Sequence, residues 1–128
     1  MKEKIELEKA TVFFRADDIV EIRFKDEIEV TLEDSTKQYK LITERFPNQA
    51  VCMLIVPGEK NTMTHEVREF ANQPQSKAML KAEAIVVKNL AQRLAGNFLK
   101  NFVDKNMKLF KNEEEAIVWL KKEQALNS

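Results

Sequence analysis

The single histidine, His65, opens the segment His65-Glu66-Val67-Arg68-Glu69, half of the helix pattern by which zinc proteases hold their metal. Such a helix carries two histidines four residues apart, so that both face one ion. Here Glu69 stands where the second histidine belongs, and His65 reads as an exposed first-turn residue with no metal. Cys52, the only cysteine, lies in an apolar run. It reads as a small core residue rather than a nucleophile, and it rules out an intramolecular disulfide. Asp17-Asp18 suits a hairpin turn, and Glu113-Glu114-Glu115 suits a helix N-terminus, where the macrodipole favours negative charge. Acid–base catalysis by two carboxylates needs surroundings that push their pKa values apart. Neither cluster sits in an apolar context, so no catalytic residue is assigned and no enzyme is expected.

Phosphate chemistry is limited by glycine. Gly58 and Gly96 are the only two, so neither a dinucleotide fingerprint nor a P-loop can be written, and no cofactor is expected. The loop Pro57-Gly58-Glu59-Lys60-Asn61-Thr62-Met63-Thr64 still holds two hydroxyls before an expected helix. Thr62 or Thr64 could accept a phosphate, whose charge is favourable at a helix N-terminus; a plain helix cap is the alternative. Open α/β sheets bind ligands beyond the carboxyl ends of their strands. By that rule Gly58, Lys60, Lys88 and Asn89 form a candidate anion or ligand site.

Charge sums to zero over 128 residues, which argues against a nucleic-acid footprint. The stretch 77–111 is locally basic, with Glu83 and Asp104 its only acids. Within it, Asn89 to Val103 reads as a helix with a wide apolar face bearing Phe98, Leu99 and Phe102, flanked by Lys88, Arg93, Lys100 and Lys105. Basic flanks around aromatic residues suit a membrane or partner helix, centred on Arg93, Phe98, Lys100 and Phe102; core packing is the plainer reading.

These residues need a scaffold, and the patterning supplies one. Thr11–Phe14 and Ile19–Lys25 are β-rich runs joined by a turn. In the second, Val20, Ile22 and Phe24 alternate with Glu21, Arg23 and Lys25, predicting one buried and one wet face. Ile28 and Val30 extend the alternation into a possible third short strand. Thr31-Leu32-Glu33-Asp34 has the form of a capping box and starts a helix over 32–46, which Pro47 ends. Val51–Val56 and Ala82–Val87 read as buried central strands. Between them, a helix carries Val67 and Phe70. Lys108–Phe110 is a last strand, and Asn112 with Glu115 caps a C-terminal helix. Strands alternating with helices predict a mixed, mostly parallel five-stranded sheet with an N-terminal antiparallel hairpin. Length and composition, 44% apolar and 33% charged, fit one domain over 1–128. No secretory signal or bilayer-spanning run is read, so the cytoplasm is expected.

The hairpin Thr11–Lys25, the capped helix from Thr31, the strand Val51-Cys52-Met53-Leu54-Ile55-Val56-Pro57 and the segment Ala82-Glu83-Ala84-Ile85-Val86-Val87-Lys88-Asn89 together resemble bacterial SpoIIAA-like domains, often described as STAS/SEC14-like. The resemblance covers roughly residues 7–122. It implies a β-α superhelix with helices packed mainly on one side. It also implies one of two roles. The first is a non-catalytic regulatory or protein-interaction module controlled by phosphorylation, and the second a nonpolar-ligand or membrane-surface binder. Carried over by position, the phosphoacceptor falls in the 57–64 loop, which lacks the family's Asp-Ser-Ser-Gly-like core. The expected partner is another protein, with a nonpolar ligand or anionic membrane as the alternative, and a homodimer is allowed.

Overall fold

The computed structural model describes residues 3–89 and 106–126. Its strands are β1 (Glu3–Glu6), β2 (Ala10–Phe14), β3 (Ile19–Phe24), β4 (Glu29–Val30), β5 (Val51–Val56), β6 (Thr62–Met63), β7 (Leu80–Val86) and β8 (Met107–Phe110). The described helices are α1 (Leu32–Arg45), α2 (His65–Ala71), α3 (Pro74–Met79) and α4 (Glu113–Ala125). The main sheet has six strands in the order β1-β2-β3-β5-β7-β8. β1, β2 and β3 run antiparallel, and every later pairing is parallel.

The expected hairpin is β2–β3, with Phe14 opposite Val20. Its turn closes through a bond from the Asp18 amide to the Arg15 carbonyl, 3.0 Å. Asp18 takes a positive φ of 64°, which aspartate tolerates better than most residues. The sheet gains one strand over the five expected. β1 is an edge strand on which only Ile5 is partly buried, so its alternation is too weak to read. Ile28 and Val30 do not extend the main sheet either. β4 pairs in parallel with β6 in a separate two-stranded sheet.

Capping acts as the local sequence predicts. The Thr31 hydroxyl accepts from the Asp34 amide while the Asp34 carboxylate accepts from the Thr31 amide. At α4, Asn112 Oδ1 accepts from the Glu115 amide at 2.9 Å.

From β3 onward each new strand is added on the same side of the last. Right-handed crossovers then put the connecting helices on one face. α1 and α3 lie there, with Ile42 and Met79 packed on Val20, Ile22 and Met53. α4 follows the last strand and is free of that constraint. Its Ala116 and Leu120 cover the opposite face, over Ile19, Cys52, Leu54, Ala82 and Ala84. Among the described residues, helices thus gather mainly on one side, with α4 closing the other.

α4 also corrects the expectation of a wet face on β3. Glu21 is 1% exposed. Its carboxylate accepts from Arg15 Nη1 at 3.1 Å and from Arg23 Nε at 2.6 Å, and Arg23 reaches on to Glu113 at the start of α4. At the far end of α4, Gln124 Nε2 donates to the Asp17 carbonyl at 2.8 Å. Charge-assisted bonds of the Arg23–Glu113 kind are stronger than neutral ones; they hold the start of α4 to the β2–β3 hairpin, and the neutral Gln124 bond holds its end. Burial pushes the Cys52 thiol up, as befits a core residue under α4.

Candidate functional site

The loop singled out by the sequence is laced to the segment before β4. The Gly58 amide donates to Asn61 Oδ1, and Asn61 Nδ2 donates to the Lys25 carbonyl, both at 2.8 Å. The Glu59 amide donates to Asp26 Oδ1 at 2.8 Å. The Gly58 and Glu59 amides, which could face an anion, are therefore engaged by oxygens of the chain itself. Asn89 Nδ2 lies 3.1 Å from both carboxylate oxygens of Glu59, so Asn89 and Gly58 do converge. Lys88 lies 3.8 Å from Glu113. Lys60 is exposed, with a positive φ of 57°.

Gly58 has a packing role. A Cβ built on it would lie 2.5 Å from the Lys25 carbonyl oxygen and 2.8 Å from Asp26 Oδ1. Because the obstacle is backbone, Gly58→Ala must shift the 25–27 segment, and overpacking of this sort costs about 1–3 kcal/mol. Urea denaturation should show that loss; an unchanged midpoint would mean that the two segments separate freely.

The two threonines have different surroundings. Thr62 is exposed on β6. Thr64 is the N-cap residue of α2, but its side chain makes no capping bond, and its Oγ1 is buried without a partner among the described residues. His65 is exposed and contacts Glu69 at 2.7 Å. Arg93, Phe98, Lys100 and Phe102 lie outside the described residues. Among the described residues no helix is long and apolar enough to cross a membrane.

A site that the sequence reading missed lies on the sheet face under α1, α2 and α3. A cleft of about 140 Å³ opens there, walled by Tyr39 and Ile42 of α1, Met53 of β5, Phe70 of α2 and Met79 of α3. Tyr39 and Phe70 meet edge to face, with ring centroids 5.6 Å apart. Polar residues line it too, among them Ser35 and Gln38 of α1, Ser76 and Lys77 of α3, Glu83 of β7 and Asn106. Strand alternation explains Glu83. Ala82, Ala84 and Val86 face α4, so Glu83 must face the other way. It keeps some solvent contact, yet desolvation pushes its pKa up to about 7. Ser76 is 8% exposed, and its Oγ has no partner among the described residues. One signal was available, since Glu83 is the lone acid in the run Ala82–Val87. Ser76 offered none.

This geometry lies within the span of a family match. Residues 13–124 match a family described as a domain of unknown function, DUF7793. The chain belongs to that family. The DUF7793 match starts inside β2 and encloses every element around the cleft. No curated protein matches. Among solved structures, the chain is similar to an uncharacterised protein of the DUF3478 family with a SpoIIAA-like fold, from Shewanella loihica PV-4. The two share 13% identity over 94% of this chain and 92% of that one, with a TM-score of 0.59. At that identity the likeness carries the fold. The SpoIIAA-like fold expected from the sequence is the fold of this DUF7793 chain.

Proposed function

We propose that the protein is a non-catalytic binding module whose ligand, a small and largely apolar molecule, sits in the cleft beneath α1, α2 and α3. The cleft itself carries the reading. Apolar and aromatic walls with a few placed polar groups are the usual make-up of small-molecule sites. Its 140 Å³ is close to the roughly 150 Å³ that suffices to hold benzene in a protein interior. This reading puts the nonpolar-ligand alternative ahead of the protein-interaction module.

Methyl spectra of the methionines test it, because Met53 and Met79 line the cleft. Toluene should shift both signals saturably at millimolar concentration. Ala71 also lines the cleft and is exposed, so Ala71→Trp should block the effect without disturbing the core. Unmoved methionine signals would end the proposal.

A phosphorylation-controlled interaction module is the second reading, favoured by the exposed Thr62. It predicts a phosphate on Thr62 in protein isolated from its own host, removed by Thr62→Ala. Intact mass spectrometry showing unmodified chain under all growth conditions would count against it.

A further inference from the structure

Within the cleft, Glu83 stands apart from the other sequestered carboxylates. Asp17 meets Arg15 at 2.9 Å, Glu21 meets two arginines, and Asp34 meets Lys9 at 2.9 Å. Glu83 forms no hydrogen bond or ion pair through its side chain among the described residues, and desolvation is the cause of its perturbation. The other titratable groups lining the cleft are Tyr39, set against Phe70, and Lys77, exposed on α3. Beside them the Ser76 hydroxyl is buried and has no partner among the described residues. Among the described residues the Glu83 carboxylate thus lines the cleft with no counter-ion, and an unmatched carboxylate away from bulk water is costly.

We infer that the cleft selects ligands carrying an ammonium group on an apolar body, with the Glu83 carboxylate as counter-ion. This rests on the cleft being a ligand site, and it adds the chemical class. An ammonium supplies a cation to a carboxylate that has no ion-pair partner among the described residues, and its N–H groups donate to the carboxylate oxygens. The aromatic walls suit an organic cation. Ionisation of Glu83 is the requirement, so the preference for an amine should grow as pH rises through about 7.

Benzylamine and benzyl alcohol separate binding in the cleft from a preference for ammonium, because they share a ring and differ in the charge of the head group. Both are titrated into the full chain and followed by the methionine methyl signals at about pH 5.5 and about pH 8. At the higher pH benzylamine should bind at least about tenfold more tightly than benzyl alcohol, as expected for hydrogen bonding to a charged partner. At the lower pH the two should converge. Glu83→Gln should bind both alike at either pH, and the wild-type pH profile stands as the test should that variant fail to fold. Equal affinities for wild type at about pH 8 would overturn the ammonium preference and leave the cleft as an apolar site. Absence of binding by both probes would overturn the cleft reading as well.

Discussion

Glu83→Gln is expected to make the protein more stable at about pH 8 and to change little at about pH 4. The carboxyl has a pKa of about 7 in the folded chain against a reference of 4.5. The native state therefore holds this proton more tightly than the unfolded state does. Below the reference value both states are protonated, and the group takes nothing from stability. As pH rises from there the unfolded chain gains by releasing the proton first, so stability falls until about pH 7 and then levels off. At about 1.36 kcal/mol per unit, the gap amounts to at most about 3 kcal/mol. Glutamine keeps the shape and removes the titration. Urea unfolding of both proteins across this range gives the double difference, which cancels every other titrating group. Parallel pH profiles for the two would refute the assignment. A site that weakens the fold until it is occupied is a common arrangement where function and stability compete.

The second large effect is expected on the opposite face. Glu21→Ala removes the carboxylate between Arg15 and Arg23 and opens a hole under the edge of α4. Loss of one partner from a buried ionic cluster typically destabilises by about 3–5 kcal/mol. Because Asp17 and Glu113 still neutralise the two arginines, the lower end, about 3 kcal/mol, is expected here. That is a large share of the roughly 5–15 kcal/mol by which domains are stable. A double-mutant cycle with Arg23→Met should show coupling of about 1.5–3 kcal/mol, as hydrogen bonds to charged groups do. Strict additivity would mean that Glu21 acts only by filling space. The cluster also bears on which face α4 takes. Glu113 and Gln124, at its two ends, contact Arg23 and the Asp17 carbonyl, so its loss should loosen α4 before the rest of the sheet. Hydrogen exchange on α4 amides would reveal this.

What could be read from the chain alone follows the range of the interactions involved. The Thr31–Asp34 box and the Asn112–Glu115 cap each close within three residues, and their side chains need only local backbone to act. The apolar run Val51–Val56 and the alternation of β3 declare strands because side-chain direction has a period of two whatever surrounds it. Element order then dictates a mostly parallel sheet, and with it a SpoIIAA-like fold. Three features needed the tertiary structure. β4 and β6 find each other across more than thirty residues, and two-residue strands have too little pattern to announce a partner. Glu21 sits where alternation predicts water, and its burial depends on Glu113, ninety residues away through Arg23. The sequence shows Glu83, Ser76 and Tyr39 as an acid in an apolar run, a serine after a proline and a tyrosine on a helix. Only crossovers stacked on one face bring them around a single cleft. The chemistry suggested at His65, Cys52 and the 57–64 loop is a matter of residue type and spacing. The candidate site is instead a matter of which face each strand turns to which helix.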